Sequence, residues 1–251
     1  MPGYLPKPPV CILNRAHPLA RGLVAAWPFD EGGGGKAVRD AVGSNHGMAA
    51  AYNKWTGGAF GHCLTFNGTS DYVSVGSSSA LDQPKTFSFW YTTSTYQIGM
   101  TISRGSDNYE VYTHTSDNKW TMYLGNAYSY TNVPLRLNTW TLLTIVVGGT
   151  TITTYENGGW YSTTTIVGTP SYANAGTLYI GTREGAFRFD GSMDDVRLYN
   201  RALSAAEVAA VYADPWAIYR PSRGWLKVAG LVVMGAWWHR NMIRDRRSGV
   251  R

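Results

Sequence analysis

The stretch LYIGTREGAFRFDGSMDDVRLYNRALSAAEVAAVYA, residues 178–213, decides the fold. A short apolar run is followed by a Gly-containing turn and then by MDDVRLY (193–199), which reads as a strand because β-branched, aromatic and apolar residues suit a pleated, half-buried surface. Ser204-Ala-Ala-Glu207 is a capping box, in which the hydroxyl and the carboxylate each satisfy an orphan backbone N–H. Val208, Val211 and Tyr212 share one face of the helix it starts, and Pro215 lies beyond its end.

Outward from this stretch the chain is a succession of short strands. Runs at 23–29, 62–66, 72–75, 86–91, 100–104, 109–113, 120–124, 140–147, 152–156, 160–164 and 177–181 alternate with turn signals. Asn157-Gly158 is the hairpin dipeptide, because both central residues of a type I′ turn need positive φ. Many short strands at near-even spacing predict a sandwich or barrel rather than βαβ units. The fold class is therefore all-β: an antiparallel β-sandwich with one late helix.

The chain has 251 residues, 44% hydrophobic and 15% charged, with 29 Gly and 11 Pro. That excludes disorder, and Gly without a three-residue period excludes collagen. Two cysteines, Cys11 and Cys63, cannot build a disulfide framework or a four-thiolate zinc site, and are read as free thiols. The charge is lopsided. Residues 1–214 carry 14 Lys+Arg against 15 Asp+Glu, net −1, and residues 215–251 carry 8 against 1, net +7.

Three regions follow: an extended N-terminal arm (1–21), a sandwich domain (22–214) and a basic, Trp-rich tail (215–251). The opening MPGYLPKPPVCILN holds four prolines, which interrupt any apolar core of a secretory signal. Synthesis in a cytosol is expected. In the tail the apolar stretch 225–238 is 14 residues long, whereas a bilayer span needs about 20. The tail is read as packing on the domain or a neighbouring subunit, as an assembly peg, or as an interfacial anchor. Trp225, Trp237, Trp238, Arg240, Arg244, Arg246 and Arg247 are its assembly candidates.

Five segments carry a resemblance: GLVAAWPFDEGGGGKAVRDAVGSNHG (22–47), GGAFGHCLTFNGTSDYVSV (57–75), FSFWYTT (87–93), NTWTLLTIVVGGTTITTYENG (138–158) and residues 178–213. In this order they resemble the laminin-G-like members of the concanavalin A-like lectin/glucanase jelly rolls. The family is functionally mixed, spanning carbohydrate-binding modules, adhesion domains and phage surface modules, so the resemblance implies architecture more than activity. YADPWAIYRPSRGWL (212–226) is similar to the ending of small stand-alone proteins of phage structural modules. The resemblance also implies a structural Ca²⁺, with Asp71, Asp194 and Asp195 as metal candidates; Asp30, Glu31, Asp40 and Asp190 are further acids of the same kind.

Glycan-cleaving relatives place carboxylates at alternate positions on one strand. Here Asp107/Glu110 and Asp194/Asp195 are the nearest pairs, and neither has that spacing on a regular strand. No catalysis is expected. Sugar recognition needs an aromatic face flanked by fixed polar groups. Loop aromatics Trp55, Tyr128, Tyr130, Trp160, Tyr161 and Tyr172 are candidates, with Asn126 and Arg183, and also Asn108 and Glu184, as polar partners. Tyr128-Ser-Tyr130 would share one face if extended. The expectation is a non-catalytic lectin-like protein for glycan or surface recognition, displayed on a phage-like virion or cell surface as an oligomer or larger assembly. The alternatives are a purely structural virion decoration protein without sugar binding and, less favoured, a glycoside hydrolase. Nucleic acid is disfavoured as a partner, because the tail's arginines lack interleaved aromatics.

Overall fold

The computed structural model describes residues 7–8, 10–33, 35–50, 54–58, 60–105, 108–114, 116–172, 176–220, 227–228 and 231–232. The strands are β1 (Leu23–Trp27), β2 (Ala37–Val38), β3 (Gly47–Ala49), β4 (Lys54–Gly58), β5 (Gly61–Asn67), β6 (Val73–Gly76), β7 (Thr86–Thr92) and β8 (Met100–Ser103). They continue with β9 (Glu110–His114), β10 (Lys119–Leu124), β11 (Ala127–Pro134), β12 (Thr141–Gly148), β13 (Thr151–Glu156), β14 (Gly159–Thr165), β15 (Leu178–Ile180) and β16 (Asp190–Tyr199), before helix α1 (Ala205–Ala213).

Two antiparallel sheets form the sandwich. The first runs β14-β13-β12-β7-β16-β5-β4, with β1 also on β16; the second runs β11-β10-β9-β8-β15-β6-β3-β2. Asn157 and Gly158 both have positive φ at the β13–β14 turn, as the dipeptide predicts. The capping box is formed in full: Ser204 accepts from the Glu207 N–H while Glu207 accepts from the Ser204 N–H. Between the sheets lies a core that includes Trp27, Phe66, Phe87, Phe89, Trp120, Ile102, Val111 and Met122.

A second apolar layer covers the outer face of the first sheet. Trp90, Leu142, Val146, Tyr155 and Tyr199 pack there with Val208 and Val211 of α1, Phe60, Cys11, Leu19, Trp216, Ile218 and Tyr219. Trp90 stacks on Tyr212, and Phe60 lies edge-on to both Trp90 and Trp216. Asn14 of the N-terminal segment donates from its backbone to Ile218 O at 2.7 Å. Residues 215–220, assigned above to the tail, thus pack with the sandwich because three of their apolar side chains are buried. The compact unit is Met1–Arg220, and Pro221–Arg251 forms a separate one, in which Lys227–Val228 pairs with Leu231–Val232. Trp225, Trp237, Trp238, Arg240, Arg244, Arg246 and Arg247 lie outside the described residues.

One irregularity corrects an expectation. Adjacent residues of a regular strand point to opposite faces, yet Asp194 and Asp195 are both buried on the outer side. The register of β16 on β7 shifts between Asp194 and Arg197, and Asp195 has φ +49°, so a bulge turns both carboxylates the same way. Met193 and Val196 on either side face the inter-sheet core.

Candidate functional site

Along β9, β10 and β11 the outer face of the second sheet carries exposed and half-buried tyrosines among the described residues. On β11 residues alternate buried and exposed, so Tyr128 and Tyr130 point outward on one face. Their rings meet edge-on at 5.4 Å. Register extends this face across the sheet: Tyr128 lies opposite Tyr123, which lies opposite Glu110, and Tyr130 lies opposite Thr121, which lies opposite Tyr112. Cross-strand partners share a face, so four tyrosines and one glutamate form a single patch.

At its edge is a cleft of about 340 Å³, bounded by Glu110, Tyr112, His114, Tyr123, Arg183 and Phe187, with Ile98 and Met100 also on its lining. Its size is near the lower end of small-molecule sites, roughly 300–1,000 Å³. Arg183 enters from a tight turn. Its backbone exchanges two hydrogen bonds with Ala186, and Glu184 and Gly185 between them both have positive φ. Phe187, also at positive φ and 47% exposed, is fixed by its carbonyl accepting from the Met100 N–H. The Arg183 guanidinium sits 5.8 Å from the Phe187 ring centroid.

Glu110 is the carboxylate of this cleft. It pairs with Arg183 Nε at 3.2 Å and accepts from Ser103 Oγ at 3.1 Å. Burial raises its pKa above the ordinary carboxylate value, and the Arg183 charge pulls the other way. Burial also raises the Tyr112 pKa, as do its neighbours Tyr130 and Glu110. The arrangement can stack a sugar face on phenol rings and bond hydroxyls to the phenols, the carboxylate and the guanidinium.

The structure brings together only part of the expected ligand set. Tyr128, Tyr130 and Arg183 belong to this sheet, and Asn126 is exposed in the turn before Tyr128. Trp55 is on β4 and Tyr161 on β14, both packed against the inter-sheet core, so they do not join the patch. Trp160 is 66% exposed on β14, the edge of the other sheet, with Nε1 donating to Thr163 Oγ1. Five of the six aromatics read as loop residues are strand residues; Tyr172 remains in a loop, beneath the Lys85 ammonium. Asn108 is fully buried. Glu110, Tyr112, His114, Tyr123 and Phe187 were missed, although the alternation Glu110-Val-Tyr112-Thr-His114 is the sequence signal of one outward face.

The expected calcium ligands do not converge. Asp71 lies in a polar loop around Asn67. Asp194 Oδ1 is 2.7 Å from Lys7 Nζ, and Asp195 pairs with Arg197 Nη2 at 2.6 Å. Each buried carboxylate therefore already has a cation beside it, and among the described residues no three His, Cys, Asp or Glu side chains cluster to hold a metal. Asp40 accepts from the N–H groups of Ala26, Val42, Gly43 and Asn45, which is a loop-organising role. The residues present do not fit a calcium ion at these acids.

The family model described as Concanavalin A-like lectin/glucanases superfamily (Laminin_G_3) matches residues 67–209, more than half of the chain, and the chain belongs to that family. No curated protein matches it. Among solved structures it is similar to domain 4 of AbnA, an extracellular arabinanase from Geobacillus stearothermophilus in complex with arabinotriose. The TM-score is 0.62 at 17% identity, covering 76% of this chain and 98% of that one. The binding domain of Paraclostridial Mosquitocidal Protein 1 gives 0.63 at 15% identity, with coverage of 77% and 52%. Trypanosoma rangeli sialidase gives 0.55 at 13% identity, with 78% and 33%. The chain thus spans about half of the mosquitocidal binding domain and a third of the sialidase. At these identities the likeness is one of fold.

Proposed function

We propose that this chain is a non-catalytic carbohydrate-binding protein that takes a short oligosaccharide on the tyrosine patch of the second sheet. The observation that carries the reading is the outward row of half-buried Tyr112 and Tyr123 and exposed Tyr128 and Tyr130 beside the Glu110–Arg183 pair. Phenols at least partly open on an otherwise well-packed sandwich offer stacking faces and hydroxyl partners together. The AbnA domain supports the choice of probe, since that protein is seen with arabinotriose.

Binding without cleavage is favoured by the lining of the cleft, in which Glu110 is the one carboxylate among the described residues. Glycoside hydrolysis generally uses two, about 5–5.5 Å apart for retention or about 6.5–9.5 Å for inversion. Glu110 is also engaged by Arg183 and Ser103, which suits a positioning group more than a free acid. We place the protein on a virion or cell surface, assembled through its basic tail; the net +7 of residues 215–251 supports that setting. The alternative of a structural block without sugar binding predicts silence in the following test.

A glycan array that includes arabino-oligosaccharides, probed with the native chain and with R183A, tests the reading. Native protein is expected to bind at least one oligosaccharide. R183A is expected to lose about tenfold or more, the scale of a hydrogen bond to a charged group. A folded native chain that binds no glycan, or an R183A signal equal to native, would count against it.

A further inference from the structure

The acids that fail as a calcium site frame a different one. Lys7 Nζ lies within hydrogen-bond reach of four oxygens: the backbone carbonyls of Pro28, Phe29 (3.0 Å) and His62 (3.0 Å), and Asp194 Oδ1 (2.7 Å). An ammonium has three N–H donors, so four acceptors already saturate it. The side chains of Lys7 and Asp194 are 4% and 0% exposed. Asp194 Oδ2 is also buried, without a hydrogen-bond partner among the described residues. The Trp216 ring closes the site, its centroid 5.0 Å from Nζ.

Four separate chain segments, at 28–29, 62, 194 and 216, thus converge on one positive charge carried in from the N-terminal segment. With Asp194 ionised, three carbonyl oxygens and a carboxylate make a cage with a net charge of −1; burial pushes the Asp194 pKa up to about 7, and the Lys7 ammonium pulls it down. The neighbouring Asp195 does not add to it, because Arg197 neutralises that carboxylate through Nε at 2.9 Å and Nη2 at 2.6 Å. A single charge balances the cage. A divalent ion would leave an uncompensated buried charge, which is costly in a low-dielectric site.

We infer that the carbonyl cage around Asp194 is a monovalent-cation site whose resident cation is the chain's own Lys7 ammonium, so that the sandwich locks its N-terminal segment without a metal. Emptied of that side chain, the cage takes a small alkylammonium ion in preference to calcium. Lys7 is then the keystone of the covered sheet, since its loss leaves Asp194 buried and unpaired. This inference is independent of the sugar-binding reading, because the cage and the tyrosine patch lie on different sheets.

Thermal melting of the full native chain and of K7A tests it, with EDTA, ethylammonium chloride or calcium chloride as additives. The native melting temperature is expected to be unmoved by EDTA. K7A is expected to melt lower by roughly 6–20 °C, the scale of stripping one partner from a buried ion pair in a protein of this size. Millimolar ethylammonium is expected to restore part of that shift, and calcium less. A native protein destabilised by EDTA, a K7A melting like native, or K7A restored by calcium alone or by neither cation would overturn the inference. If K7A does not fold, the native chain still answers through amine acetylation read by mass spectrometry. Lys7 should react at least tenfold slower than Lys119, whose side chain is 37% exposed, with equal rates only in denaturant. Equal rates in the native protein would overturn the inference.

Discussion

On the first sheet, Trp90, Leu142, Val146 and Tyr155 point outward and are covered by α1, by Trp216 to Tyr219 and by the N-terminal segment. On the second, Tyr112, Tyr123, Tyr128 and Tyr130 point outward across β9–β11, the first two half-buried and the last two exposed. The two faces differ in chemistry before they differ in cover. Indole and aliphatic side chains gain roughly 25 cal/mol for each Å² removed from water, so the first face recruits chain from both sides of the sandwich domain. Phenols can stay wet at the hydroxyl while presenting an apolar ring, so the second face tolerates partial exposure. The charges follow the same division. On the covered sheet Asp194 and Asp195 are matched one-to-one by Lys7 and Arg197, while on the open sheet Glu110 and Arg183 meet beside a cleft.

The strongest break in this comparison is a truncation. A chain ending at Asp214 lacks Trp216, Ile218 and Tyr219, all buried, and should lose its cooperative urea transition or at least 5 kcal/mol of stability, since removing one large buried aromatic costs about 3–5 kcal/mol. The reference is a chain ending at Arg220, which keeps those three side chains. Equal stability of the two would show that the cover is dispensable. Next in size is R197M, which leaves Asp195 buried without its cation and should cost about 3–5 kcal/mol in the same assay. A change under about 1 kcal/mol would place that pair in a water-like setting. On the open sheet, Y128A/Y130A should shift stability by less than about 1 kcal/mol while weakening glycan binding at least tenfold, because these two rings are exposed. A large loss of stability would make the tyrosines part of the packing.

The smallest effects are in pH. The Arg201 guanidinium, which bonds both Glu207 oxygens, lowers the Glu207 pKa from 4.5 to about 2. A depressed carboxylate contributes fully above its unfolded value and loses that contribution as pH falls from about 4.5 towards about 2. E207Q should therefore flatten the stability profile only in that acid window; flattening above pH 5 would contradict the assignment. Glu110 shifts the opposite way, upward through burial. Glycan binding should therefore weaken with falling pH at a midpoint above the ordinary carboxylate range, as a protonated Glu110 releases Arg183. E110Q should abolish that dependence, and an unaltered midpoint in calorimetric titrations would exclude Glu110 as its source.

Much of the fold was legible because its signals are local. The capping box at Ser204–Glu207 and the Asn157-Gly158 turn each need only a few residues, and both form as read. The site was harder. Tyr128-Ser-Tyr130 announced a shared face, but its partners Tyr112 and Tyr123 join through cross-strand register, which composition does not reveal. Trp55 looked available because the β4 region was read as a loop, and Tyr161 because the inward face of the 160–164 strand went unassigned. Asp194 and Asp195 were misread for a related reason: a bulge at positive φ on a non-glycine residue carries no sequence mark, yet it reverses which way every later side chain points. Lys7 was hidden altogether, since its four acceptors come from three distant segments.

The most direct test of the open-face account is an amide chemical-shift map by ¹⁵N–¹H NMR, recorded while the native chain is titrated with its best-binding array glycan. The account predicts the largest shifts on β9, β10 and β11 and in the turn from Arg183 to Phe187, with β4 and β14 unmoved. Shifts centred on Trp55 or Trp160, with β9–β11 silent, would contradict it.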